Sequence, residues 1–283
     1  MDFHFQSSGF ASLDSVAADA VIQVIAGEKR PEGLSAACAT LIDDAIALGD
    51  LSMKAGSKLY LHRPSGLRAA RLVVVVAADG SPKALKSAVA AACAQLPQGA
   101  NPGVKHVAIA AAGFELGAAH AEALVAAVGD ATYVYRHTKP SAPAAAKLSR
   151  LTWVGNAADA GAIQDGLRVG QAVSMGVYCA RELGNLPGNH CTPTFLGTEA
   201  KRIGKRYGID VEVLDRKAIE RIGMGSFLAV AQGSDEPPRF IVMRYRGNAA
   251  KGAATHVLVG KGITFDTGVI SIKPSPEMDE MKY

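Results

Sequence analysis

Apolar positions follow two rhythms along this chain. Ala20–Ile25 and Val104–Ala111 read as strands, and Leu72–Ala77 is apolar at consecutive positions. Runs of that kind suit strands covered on both faces, as in a parallel sheet flanked by helices. Lys58–His62 reads as a further strand, while Ser81–Leu96, opening on Ser-Pro, and Gly117–Val128 read as helices. Strand–helix alternation predicts an α/β fold, with a mixed or parallel sheet flanked by helices in the N-terminal part. The stretch TKPSAPAAA at 138–146 gathers prolines and small residues and is the best linker candidate.

A strand-like LSRLTWV at 148–154 follows the linker, and then the longest helical pattern, Ala158–Leu183. At 100° per residue Ile163, Leu167, Val173, Val177 and Ala180 fall within an arc of roughly 140°, one broad face predicted to be buried. The expected organisation is an N-terminal α/β domain over 1–147, joined by this long helix to a second α/β domain over 148–283.

Further on, Gly184, Pro187 and Gly188 break the helix, and Thr192-Pro193 starts another with Thr as N-cap. Leu196, Ala200, Ile203 and Tyr207 make its apolar stripe, with Lys201, Arg202, Lys205 and Arg206 opposite. Val211–Leu214, Phe240–Arg244 and His256–Val259 read as strands, and no internal repeat is visible.

Composition adds exclusions. With 49% apolar and 20% charged residues among 283, the chain has no disordered or fibrous bias. Its longest strongly apolar run, Leu72–Ala78, is far below a membrane span, and MDFHFQSSGF lacks the basic start of a signal peptide. A cytoplasmic protein without a membrane partner is expected. Cys38, Cys93, Cys179 and Cys191 show no C-x-x-C spacing, so reduced, mostly buried thiols are expected. The net charge of +4 is dispersed. The basic helix face Lys201–Arg206 is read first as solvated, and a nucleic-acid partner is only weakly supported.

Several chemistries drop out. There is no H-E-x-x-H and no G-x-S-x-G. Gly260-Lys261 lacks the other residues of a phosphate loop, and Gly223-Met224-Gly225 lacks the third glycine of a dinucleotide fingerprint. What remains is VGKGITFDTGVISIKPSPEMDEMKY at 259–283, beyond a predicted strand end. Lys261, Asp266 and Lys273 on neighbouring loops can bind an oxyanion, hold a metal or pair as surface ions; chemistry alone leaves these open.

The order of residue types narrows the choice. The terminal segment resembles the signature of the leucyl aminopeptidase family, the cytosolic two-metal aminopeptidases. ARELGNLPGNHCTPTFLGTEA (180–200) and GMGSFLAVAQGSDEPPRFIVMRYRG (223–247) are similar to two further stretches of that family. The first 150 residues match only in α/β character. The resemblance implies a metallo-exopeptidase that releases N-terminal amino acids, leucine-like ones preferred, from peptides with a free amino terminus. It also implies a hexamer, two divalent metal ions (manganese or zinc), and a bridging water that attacks the peptide bond.

By position, Lys261 would be a metal ligand, a role that demands a neutral amine and hence a desolvated site beside dications. Asp266 would be a ligand bridging two metals. Lys273 would be catalytic and substrate-binding, holding the scissile carbonyl and stabilising the oxyanion. Met281 would line the pocket for the first side chain. Asp279 and Glu280 are given no ligand role and are expected to be solvated or structural.

Two departures accompany the resemblance. The family pattern D-x-G-G-I reads Asp266-Thr267-Gly268-Val269-Ile270 here. Valine at the second glycine either strains the loop or packs in a strand. The family also continues from K-Y into further segments that carry more carboxylate ligands and an arginine, and these have no counterpart in this sequence. The catalytic domain is therefore expected to be incomplete and the metal site short of ligands. Little activity is expected from this chain alone, with a non-catalytic nucleic-acid-binding or oligomerisation module as the alternative.

Overall fold

Three apolar runs set the frame. All of β2 (Ala20–Ile25) is buried, and β4 (Arg71–Val76) and β5 (His106–Ala112) are buried except at their first residues. In the computed structural model, which describes residues 1–97, 103–248, 250, 252–268 and 271–276, they form the centre of one sheet. The remaining strands are β1 (Asp2–Gln6), β3 (Lys58–His62) and β6 (Arg150–Val154), in the order β1-β6-β5-β2-β4-β3. All neighbours are parallel except β3, which pairs antiparallel with β4 at one edge. The mixed, mostly parallel sheet is the predicted one.

Alternate residues of these strands feed two cores, as a period of two requires. Ile22, Val24, Val73 and Val75 face α2 (Pro82–Cys93), α3 (Ala118–Thr132) and the first turns of α4 (Ala160–Asn185). Val21, Ile25, Leu72 and Val74 face α1 (Ala36–Leu48) and the 3₁₀ turn at Phe10–Ser15. Local signals fix the helix ends. Ser35 and Ser81 accept from the N–H of Cys38 and Ala84 as N-caps, and Gly49 closes α1 at φ 83°.

Two compact units result, Met1–Ala180 and Arg181–Tyr283. The 138–146 linker candidate therefore lies inside the first unit. Residues 148–180, assigned from sequence to the second domain, also fall there. The reason is hydrogen bonding: β6 pairs with both β1 and β5 and cannot leave the first sheet. The two domains are best taken as dividing within α4 rather than at 147/148.

The α4 helix is as long as predicted, but its buried face is not. Ile163 and Leu167 are buried, whereas Val173 is 56% and Val177 44% exposed and Ala180 is also exposed. Contact with α3 continues at Ser174, against Gly129, and at Tyr178, whose ring meets Tyr133 edge-on, but it leaves Val173 and Val177 uncovered. Contact at the start is close: a Cβ on Gly166 would lie 2.2 Å from the Ala118 carbonyl oxygen.

In the second unit, α5 (Pro193–Tyr207) lies on an antiparallel pair of β7 (Asp210–Leu214) and β8 (Phe240–Arg244). Thr192 caps α5 as predicted. Its contact row is Gly197, Ala200 and Gly204, all buried, with the glycines against Val213 and Val211. Tyr207, expected in that row, is 47% exposed. Lys201, Arg202, Lys205 and Arg206 are exposed; Arg202 pairs with Glu199 at 2.8 Å and Arg206 lies over the Tyr207 ring. Between the strands run α6 (Arg216–Ile222) and α7 (Gly225–Val230).

One predicted strand is absent. His256–Val259 has no regular structure, and Val257, Leu258 and Val259 are 75%, 98% and 92% exposed. A strand exists only through ladder bonds to a neighbour, and among the described residues none pairs with this segment. No described helix is long and apolar enough to cross a membrane.

Candidate functional site

A tight loop brings Asp266 and Lys273 together. The Lys273 N–H donates to the Thr267 carbonyl at 2.9 Å and the Ser271 N–H to the Gly268 carbonyl at 3.2 Å, folding the segment back on itself. Gly268 sits at φ 85°, where a Cβ would lie 2.2 Å from the Ser271 carbonyl oxygen. Only glycine fits that turn. Its N–H donates to Asp266 Oδ1 at 3.3 Å, and Lys273 Nζ meets Asp266 Oδ2 at 3.0 Å.

The electrostatics follow from this geometry. Asp266 is held below the usual carboxylate range, first by the Lys273 hydrogen bond, then by the Gly268 N–H, with Lys261 adding a smaller Coulombic pull. The pair is half-exposed, with side chains 36% and 39% accessible, so it is a screened ion pair. Lys261 is exposed, and so are the glycines on either side of it.

Two other predicted stretches join the surroundings unequally. In the 180–200 stretch Gly188 lies against the loop before Asp266: a Cβ there would be 3.1 Å from Phe265 Cβ and 3.3 Å from the Thr264 carbonyl oxygen. The 223–247 stretch builds the α6–α7 corner, where Gly223 takes φ 81° and Phe227 meets Phe240 edge-on. Val269, Asp279, Glu280 and Met281 lie outside the described residues. Gly188 and Gly268 were not singled out as site residues from sequence. Their signal was present all the same, as glycines inside the quoted motifs.

The residues fit a metal centre only in part. Asp266 offers an ionised carboxylate and Lys261 an amine. Among the described residues no group of three or more His, Cys, Asp or Glu side chains is placed to hold an ion. Two donors, one of them already engaged by Lys273, do not make a two-metal site.

Comparison with known proteins agrees with the order of the motifs. The model of the cytosol aminopeptidase family N-terminal domain matches residues 20–141, and that of its catalytic domain matches residues 178–283. A probable cytosol aminopeptidase of Methylibium petroleiphilum is 56% identical over 284 residues, an alignment that takes in 100% of this chain and 57% of the relative. The cytosol aminopeptidase of Pseudomonas aeruginosa is 43% identical over 281 residues, covering 93% of this chain and 55% of its own. The chain thus spans little more than half the length of these relatives.

Among solved structures, the bottromycin maturation enzyme BotP in complex with Mn superposes with a TM-score of 0.71 at 23% identity, over 94% of this chain and 52% of that one. A tomato leucine aminopeptidase mutant gives 0.67 at 23% identity, over 85% and 50%. These two share the fold. With the models of both domains matched in order along its length, the chain belongs to the cytosol aminopeptidase family.

Proposed function

We propose that this chain carries the N-terminal domain and the first part of the catalytic domain of a metal-dependent aminopeptidase. Its substrates would be peptides with a free amino terminus, leucine-like residues preferred, and manganese or zinc would serve as the metal. The reading is supported chiefly by the Asp266–Lys273 pair at 3.0 Å, clamped by Gly268 in a motif that also holds Lys261. In this reading Asp266 and Lys261 are metal ligands, Lys273 is the catalytic and substrate-binding cation, and Met281 lines the side-chain pocket. A cation at Lys273 stabilises negative charge as it develops on the scissile carbonyl oxygen, the role of an oxyanion donor. Hexameric assembly belongs to the same proposal and is checked by light scattering.

Two donors do not hold two metals, so the activity of this chain alone is proposed to be very low. The test measures leucine p-nitroanilide hydrolysis with manganese or zinc. One arm is the purified chain. The other is a chimera continued with the part of the Methylibium petroleiphilum relative that lies beyond the matched region. The chimera is expected to turn over, to lose activity to a chelator, and to lose about 10²–10³ in kcat with Lys273→Met. A folded but inactive chimera, or chelator-sensitive turnover by the chain alone, overturns the reading.

A further inference from the structure

The first unit holds a second arrangement that the aminopeptidase reading does not use. An open cleft of about 430 Å³ at the β3–β4 hairpin is lined by His62, Arg63, Ala70 and Arg71. His62 and Arg71 are direct cross-strand partners, so their side chains share one face of the sheet. Arg63 begins the connecting loop, and its N–H donates to the Ala70 carbonyl at 2.8 Å, pinning the loop at its neck. The loop is anchored again by the Arg68 N–H to the Asp14 carbonyl at 2.8 Å.

Nothing in the fold explains why cations gather here. No described carboxylate forms an ion pair with Arg63 or Arg71. The Nε of Arg71 is buried and has no acceptor, and its Nη1 reaches only the Asp19 carbonyl, at 3.5 Å. A buried donor without a partner is rare in folded proteins and asks for an explanation. Arg63 adds another: at φ 49° it is the one non-glycine residue in the left-handed region among those described. Strain of that kind persists where surroundings over-determine a conformation, and it clusters at binding sites.

We propose that this cleft is an anion site for a dianionic phosphate monoester of a small organic molecule. Two guanidinium forks and an imidazole can meet three phosphate oxygens, and guanidinium groups bind such oxygens bidentately. The Nη1 of Arg71, held only by the Asp19 carbonyl at 3.5 Å, is a donor that can turn to the anion. A volume of about 430 Å³ exceeds that of a bare phosphate and lies in the range of small-molecule sites. The exposed methyl of Ala70 gives the organic portion an apolar contact.

The test titrates the full chain with inorganic phosphate and with phenyl phosphate at constant ionic strength, by calorimetry and ³¹P line broadening. Sodium chloride and a thymidine oligonucleotide serve as comparisons. Saturable binding is expected, with phenyl phosphate at least as tight as phosphate. Arg71→Met should weaken it tenfold or more. Arg63→Gly should weaken it about fivefold while raising the urea midpoint, because glycine takes that φ without strain. A purely structural Arg63 would not give both effects. If Arg71→Met does not fold, the glycine variant decides alone. A response no different from chloride, affinity unchanged in the folded variants, or tighter binding of the oligonucleotide than of phenyl phosphate overturns the proposal.

Discussion

Replacing Gly166 with alanine tests the packing of α4 on α3. In an exposed helix interior the change gains about 1 kcal/mol of helix propensity. Here the new Cβ would stand 2.2 Å from the Ala118 carbonyl oxygen, 2.7 Å from its Cα and 2.8 Å from its carbonyl carbon. Those are backbone atoms, so no rotamer change relieves the clash and the helices must separate by about 1 Å. Separation also loosens Ile163 and Leu167, which are 0% and 3% exposed. Overpacking of this kind costs about 1–3 kcal/mol, and a clash with backbone falls at the upper end. The net expectation is a loss of about 1–2 kcal/mol. Trp153 is the one tryptophan, fully buried in β6, so its fluorescence reports the first unit. With an m-value of about 2 kcal/mol/M in urea, the midpoint should fall by about 0.5–1 M. Gly176→Ala, in the same helix with nothing within 4 Å of its Cβ, should leave the midpoint unchanged or raise it. Equal midpoints for the two variants would refute the reasoning.

Other consequences are as direct. Gly113→Ala combines φ 82° with a Cβ 2.2 Å from the Ala26 carbonyl oxygen and should cost about 3 kcal/mol by the same fluorescence assay. Burial raises the Cys38 and Cys93 thiols from 9.0 to about 11, so the folded state keeps them neutral where the unfolded state ionises. Stability from these thiols is present below pH 9 and lost between pH 9 and 11, by about 3 kcal/mol for each at the upper end, which urea midpoints across that window would show. Half-exposed Cys179 should be the thiol that reacts fast with a disulfide reagent at pH 8. Because Lys273 is the first cause of the lowered Asp266 value, the ion pair persists above that value and is lost as acid protonates the carboxylate. Lys273→Met should move the carboxyl midpoint upward in a ¹³C NMR titration, and no movement would remove the pair from the account.

Much of the first unit could be read from its apolar-rich runs, because β2, β4 and β5 are buried on both faces whatever else the chain does. What escaped that reading was half-exposed. In β1, DFHFQ, Phe3 and Phe5 pack on the core while Asp2, His4 and Gln6 alternate with them at the sheet edge. In α1 the alanine-rich sequence carries little amphipathic contrast, so the helix is announced mainly by its caps, Ser35 and Gly49. The α4 error has the opposite cause. Val173 and Val177 continue the apolar face, but periodicity states only what a helix could bury, not how much of that face its neighbours cover.

The site was legible in a different sense. Lys261, Asp266 and Lys273 are proposed from the order of residue types, and their geometry comes from backbone details that the order does not state. Asp266 and Lys273 are set by Gly268 and by two backbone hydrogen bonds of one loop, a local device that needs nothing distant. Lys261 depends on the segment before it, and His256–Val259 has no ladder to hold it among the described residues. Metal constellations need their ligands fixed on rigid elements to within about 0.5 Å. Lys273 meanwhile occupies the carboxylate oxygen that a cation would need, and Lys261 lacks the burial that makes a lysine a ligand.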